Sequence, residues 1–201
     1  MRAHASAGVV KLRAMSLGLD RVIVLHGYLS SPADNWFGWL KDELEASGVG
    51  VEVPALPQSD APELEPWVAT AVAAIGRPDE RTGIVGHSLG AVTALHALDR
   101  IDGDWTLGAL IAVSGFIEAS PELLELAAFT VTRPDLERTV ARTRNRLAVL
   151  SENDYLVPPS LSRDLGAALG AKIVTVPHAG HFIVADGVTS LPLVADLLLR
   201  G

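Results

Sequence analysis

Five residues, Gly86-His87-Ser88-Leu89-Gly90, follow the apolar run Gly83-Ile84-Val85 and open the helix-compatible stretch Ala91 to Leu98. The chain must therefore pass from a strand into a helix through one tight turn. A serine at the apex of such a turn takes a strained backbone conformation, and side chains two residues to either side would collide there unless they were glycine. Gly86 and Gly90 meet that demand. The placement predicts a nucleophilic serine at position 88 on a strand-to-helix elbow.

The order of the remaining elements supports the same architecture. Val22 to Leu25 reads as a strand ending in His26-Gly27, and Trp36 to Leu44 as a helix stopped by Gly48. Val49 to Val53 is a second strand, closed by Pro54 and Pro57, and Pro66 to Ile75 is a helix with proline near its start and Gly76 after it. Further strands are expected at Thr82 to Val85, Leu107 to Val113, Arg146 to Leu150 and Lys172 to Val176. Helices follow the third, fifth and sixth strands, with a weaker helical stretch around Pro121 to Ala128. Strands that are apolar throughout and alternate with helices predict an α/β fold, a doubly wound and mostly parallel sheet of about six strands with helices on both faces. Residues 1–19 are expected to form a loose N-terminal tail and 20–201 a single domain.

In an open sheet of this kind, reactive groups gather in the crevice at the carboxyl ends of the strands. After the first strand come His26-Gly27-Tyr28, after the third Ser88, after the fourth Ser114-Gly115, after the fifth Glu152-Asn153-Asp154, and after the sixth His178 and His181. A nucleophile, a carboxylate and a base thus fall on one edge in the order Ser, Asp, His. A serine hydroxyl needs a neutral imidazole to take its proton and a carboxylate to hold that imidazole's tautomer. His181, in a loop after Gly180, is the expected base and His178 its competitor; Asp154 is the expected acid and Glu152 its competitor. The oxyanion formed on attack needs two donors, assigned to the backbone N–H of Leu89 and the backbone N–H of Tyr28. His87 and His96 read as structural polar residues, and Trp36, Trp39 and Trp67 as core or cleft-wall anchors. Ala179-Gly180 does not favour the helix that would align His178 and His181 on a zinc ion, so no metal and no cofactor is expected.

Bulk properties narrow the partners. A net charge of −8 argues against a phosphate-tracking surface, so nucleic acid is excluded, and the basic cluster from Arg138 to Arg146 reads as the solvated face of a helix. With no cysteine, disulfides, thiolate nucleophiles and cysteine metal sites are all ruled out. The longest apolar runs, such as Leu107 to Val113, fall well short of the roughly 20 residues that span a bilayer, so no membrane partner is expected. The first 18 residues carry Arg2, Lys11 and Arg13 without a continuous apolar region, which argues against a secretory signal and for a cytoplasmic protein.

Taken together, Leu25-His26-Gly27, Asn35-Trp36, Trp39-Leu40, Leu56-Pro57, Trp67, Val85 to Gly90, Ser151 to Asp154 with Val157-Pro158, and Ala179 to Phe182 give the chain a family likeness. It resembles the retinoblastoma-binding protein 9 family of small α/β-hydrolases, compact serine hydrolases without a large lid domain. The likeness covers roughly Arg21 to Leu199, leaving the region before Asp20 outside it and Met15 as an alternative start. It implies a triad of Ser88, Asp154 and His181. The family's partner-binding role is linked to a Leu-x-Cys-x-Glu peptide, which a chain without cysteine cannot carry, so only the hydrolase chemistry is expected to transfer.

The expected function is cleavage of a small carboxylic ester, or an amide, through an acyl-Ser88 intermediate, with a small-molecule acyl substrate as the partner. Only 39 residues separate Ser114 from Asp154, too few for a large cap domain beside the helix and strand they must hold. The rival from another class is a catalytically silent module of the same fold used for protein interaction.

Overall fold

The computed structural model describes residues 17–200. Most of the tail expected over residues 1–19, Met15 included, lies outside the described residues. In chain order the elements are β1 (Arg21–Leu25), α1 (Phe37–Ala46), β2 (Gly50–Glu52), α2 (Leu64–Ile75), β3 (Thr82–His87), α3 (Leu89–Arg100) and β4 (Leu107–Val113). They continue with α4 (Ala128–Val131), α5 (Leu136–Arg142), β5 (Thr143–Ser151), α6 (Pro159–Ala168), β6 (Lys172–Val176) and α7 (Pro192–Arg200). The six strands form one sheet in the order β2-β1-β3-β4-β5-β6. Every pairing is parallel, so the sheet is wholly and not merely mostly parallel.

Alternate side chains of each strand point to opposite faces, which makes two cores. Ile23, Leu25, Ile84 and Leu110 pack on the face covered by α2, α3 and α6. Val22, Val24, Val85, Ile111 and Val149 pack on the face covered by α1 and α7. Strands buried on both sides need continuous apolar runs, and that is the pattern read from the sequence. Leu19, just before β1, is also buried in the second core.

Two local expectations change. The stretch Pro121 to Ala128 forms no full helix: a 3-10 turn at Leu124–Leu126 leads into the four-residue α4. The basic cluster is not one helix face, because Arg138 and Arg142 lie on α5 whereas Arg144 and Arg146 lie on β5. These guanidinium groups largely cap chain ends: Arg138 donates to the carbonyls of Asp99 (2.7 Å) and Ile101 (2.6 Å), and Arg146 to those of Leu169 (2.7 Å), Val140 (3.0 Å) and Thr143. A planar fork with five donors suits that task where a helix and a strand end leave carbonyls unpaired. Among the described residues no helix is long and apolar enough to cross a membrane.

Candidate active site

Ser88 follows the last residue of β3 and precedes the first of α3, with φ 54° and ψ −122°. A non-glycine residue in that region is strained by about 1–3 kcal/mol and persists only where its surroundings hold it. Here Ser88 N–H donates to the Val113 carbonyl (2.9 Å), and its own carbonyl accepts from Ala91 N–H (3.0 Å). The two glycines are dictated by contact. A Cβ on Gly86 would lie 2.4 Å from Ala91 Cα, and one on Gly90 would lie 2.1 Å from the Leu25 carbonyl oxygen.

The end of β5 supplies the carboxylate. Asp154 and His181 are both buried, and His181 Nδ1 lies 3.0 Å from Asp154 Oδ1 and 2.9 Å from Oδ2. An ionised carboxylate can only accept, so Nδ1 carries the proton and Nε2 is the nitrogen with a free lone pair. Asp154 Oδ1 also accepts from the N–H groups of Leu156 (3.0 Å) and Val157 (2.9 Å), and Oδ2 from the Ser114 hydroxyl (2.7 Å). Burial pushes this carboxyl up, but the hydrogen bonds and charge of His181, with those from Val157 and Ser114, outweigh it and hold Asp154 below the usual carboxylate range. The competitors lie elsewhere: Glu152 and His178 are both exposed.

The loop after β6 is tied down by residues whose roles were not read from the sequence. Ser151 Oγ accepts from Ala179 N–H (3.1 Å), Asn153 Oδ1 from Gly180 N–H (3.0 Å), and Asp186 Oδ2 from His181 N–H (2.7 Å). From the other side, Trp36 Nε1–H donates to the Phe182 carbonyl (3.0 Å) and Asn35 Oδ1 accepts from Val184 N–H (3.0 Å). The motif pairs Asn35-Trp36 and Ser151 to Asp154 thus brace one histidine loop. Ser114, which bonds the acid directly, gave no signal beyond its place after β4.

His87 is a buried polar residue of the core, and it and His26 each have a definable tautomer. His26 Nδ1–H donates to the Gly27 carbonyl (2.9 Å) while Nε2 accepts from Leu56 N–H (3.0 Å), which shapes the loop beside Ser88. His87 Nε2–H donates to the His181 carbonyl (2.8 Å), leaving Nδ1 as a buried acceptor with no protein partner among the described residues. Burial, reinforced by the neighbouring His181, pushes His87 down to about 3. Between that value and the ordinary 6.5 of a histidine the unfolded chain binds a proton that the fold does not, so stability falls as pH drops through this window. At pH 5 the loss from His87 is expected to be about 2 kcal/mol relative to neutral pH, at 1.36 kcal/mol per pH unit. Urea unfolding of wild type and His87→Gln at pH 7.5 and pH 5 checks this; an acid loss that is the same size in both proteins would refute it.

His96 Nε2–H likewise donates to a carbonyl, that of Phe129 (2.9 Å). Trp36 and Trp67 are fully buried and Trp39 packs at the edge of the second core, so the core reading holds for these tryptophans.

Ser88 and His181 open together into a cleft of about 550 Å³, whose wall also includes Gly27 and Tyr28. Gly27 approaches closely enough that a Cβ there would sit 3.1 Å from Ser88 Cβ. Leu29 N–H is occupied by the Ser59 carbonyl (2.8 Å). Leu89 is the first residue of α3, where the opening N–H groups have no partner inside the helix. Among the described residues no group of three or more His, Cys, Asp or Glu is arranged to hold a metal ion.

Comparison with known proteins shows the family to which the chain belongs. The family described as serine hydrolase matches residues 22–200. YdeN of Bacillus subtilis (strain 168) is 36% identical over 178 residues, covering 89% of this chain and 94% of its own. The crystal structure of the B. subtilis ydeN gene product superposes with a TM-score of 0.86, at 36% identity and over 89% of this chain and 96% of that one. A Xanthomonas campestris pv. campestris protein assigned to the α/β-hydrolase superfamily shares the fold at 20% identity, with a TM-score of 0.59 over 89% and 98% of the two chains. An esterase domain from a Rhodothermus marinus protein does so at 14% identity, with a TM-score of 0.63 over 93% and 87%. None of these relatives carries the retinoblastoma-binding protein 9 name expected from the motifs.

Proposed function

We propose that this chain, which belongs to the serine hydrolase family, cleaves small carboxylic esters through an acyl-Ser88 intermediate. The observation that carries the reading is the shared cleft: Ser88, on its strained elbow, and His181, bonded through Nδ1 to buried Asp154, face the same space. Ser88 Oγ attacks the substrate carbonyl carbon while His181 Nε2 takes the hydroxyl proton. The carbonyl π electrons move to oxygen, and the oxyanion is received by the backbone N–H groups of Leu89 and Tyr28. Collapse of this intermediate breaks the bond to the alcohol oxygen, which leaves with the proton carried by His181. Water then attacks the acyl-Ser88 carbonyl by the same route, releasing the acid and restoring the hydroxyl. Asp154 stays ionised throughout and stabilises the imidazolium, in keeping with the lowering of its pKa.

The segment between β4 and β5 carries only a 3-10 turn and two short helices, α4 and α5, so the cleft has no large cap over it. Esters of short acids suit such a site better than long-chain lipids.

The test is covalent labelling by an organophosphonate serine probe, read by intact mass on wild-type protein and on Ser88→Ala. One adduct on wild type and none on Ser88→Ala is expected. Folded wild-type protein that takes no adduct would overturn the reading and favour a silent interaction module.

A further inference from the structure

The cleft wall is apolar in an uneven way. Leu29, Leu123, Leu156, Ile183 and Val184 line it, and no Lys or Arg does so among the described residues. Leu29 and Val184 at its mouth are strongly exposed, as is Tyr155 beside Leu156. Among the described residues one carboxylate lines the cleft: Asp34. It is exposed but held in place, because Oδ2 accepts from Ser31 N–H (2.7 Å). The next residue, Asn35, is bonded to both Ser30 and Val184, so the whole turn is pinned to the histidine loop. Its charge reaches the loop beside Ser88 that His26 shapes, since Asp34 is one of the groups that raise the proton affinity of His26 against the dominant effect of burial.

We propose that Asp34 makes this cleft selective for esters without negative charge, so that neutral or cationic apolar acyl esters are substrates and anionic ones, such as half-esters of dicarboxylic acids, are rejected. The inference rests on the esterase reading of Ser88, Asp154 and His181. Its physical basis is simple. An anionic substrate entering this cleft must leave water for apolar walls without meeting a cation, and it approaches a fixed carboxylate on a chain of net charge −8. Several of the described arginines are already paired away from the cleft. The pairs Arg81–Asp20, Arg144–Glu80 and Arg142–Asp104 are composed of residues absent from the cleft wall.

The experiment uses three p-nitrophenyl esters of matched chain length: butanoate, hemisuccinate, and 4-(trimethylammonio)butanoate. kcat/KM is measured for wild type and Asp34→Asn at 20 mM and 500 mM sodium chloride. In wild type at low salt the neutral ester is expected to exceed the anionic one by about tenfold, with the cationic ester at least equal to the neutral. Asp34→Asn keeps an oxygen to accept from Ser31 N–H and is expected to close the neutral-to-anionic gap by roughly threefold, as is high salt, the size expected of one exposed charge. Each ratio compares two substrates on one preparation, so partial misfolding cancels. Anionic turnover equal to neutral, or a ratio unchanged in Asp34→Asn, would overturn the charge selection while leaving the esterase reading intact. No turnover of any of the three esters would overturn both.

Discussion

Asp154→Asn is expected to lower kcat by on the order of 10⁴ while leaving the fold and the Ser88 elbow in place. The reason is the inventory of bonds at this carboxylate. Oδ1 accepts from the Leu156 and Val157 N–H groups, so an asparagine must place its carbonyl oxygen there and its amide nitrogen where Oδ2 stood. The amide nitrogen then faces Ser114, whose hydroxyl can rotate to accept, and His181 Nδ1, whose remaining acceptor, the oxygen at 3.0 Å, already takes two backbone N–H groups. The imidazole proton is driven to Nε2, the nitrogen that must be free to take the Ser88 proton. Rate profiles of wild type and Asp154→Asn from pH 6 to 10 on p-nitrophenyl butanoate, with circular dichroism as the control for folding, make the check. Less than a tenfold fall in kcat would remove Asp154 from the mechanism. A rate that recovers steeply at high pH, as hydroxide replaces the missing base, would support the tautomer argument.

Gly90→Ala is expected to destabilise the protein by about 4 kcal/mol or more, a large share of the about 5–15 kcal/mol that stabilises a typical domain. The added Cβ would stand 2.1 Å from the Leu25 carbonyl oxygen and 2.6 Å from that of His26. Both are backbone atoms, which cannot swing aside like a side-chain tip, so β1 or α3 must shift bodily. Gly38 is the matched control: it lies within α1, and a Cβ there meets nothing within 4 Å. Gly38→Ala is expected to stabilise by about 0.5–1 kcal/mol through helix propensity. Urea unfolding of the two variants beside wild type separates the effects, and a Gly90→Ala protein as stable as wild type would refute the close-contact argument.

What could be read from residue order alone was set by short-range demands. The elbow is an instance: Gly86, Ser88 and Gly90 lie within five residues, and one turn geometry imposes all three. Strand positions were equally legible, because a parallel sheet covered on both faces requires apolar runs such as Leu107 to Val113 without alternation. The pairing of Asp154 with His181 could be anticipated from the edge of the sheet on which each would fall. The choice over Glu152 and His178 follows from burial, which the fold supplies and the local sequence does not.

The rest depended on contacts between distant segments. Ser114 meets Asp154 across 40 residues, His87 reaches the His181 carbonyl across 94, and Asn35 bonds Val184 across 149. No periodicity or local motif encodes such pairs. The Arg138 to Arg146 cluster shows the same limit, since a run of basic residues looks like one solvated face until the chain breaks from α5 into β5 and turns the guanidinium groups onto carbonyls. Asp34 is the sharpest case. In sequence it is an ordinary turn carboxylate, and only the approach of the histidine loop to the β1–α1 loop makes it part of the wall that faces Ser88. Residue order determined the elbow, the parallel sheet and the edge on which the reactive groups stand, because those follow from local sterics and strand burial. Tertiary structure decided which groups touch and what charge the cleft presents, because both depend on loops that meet only after the sheet has formed.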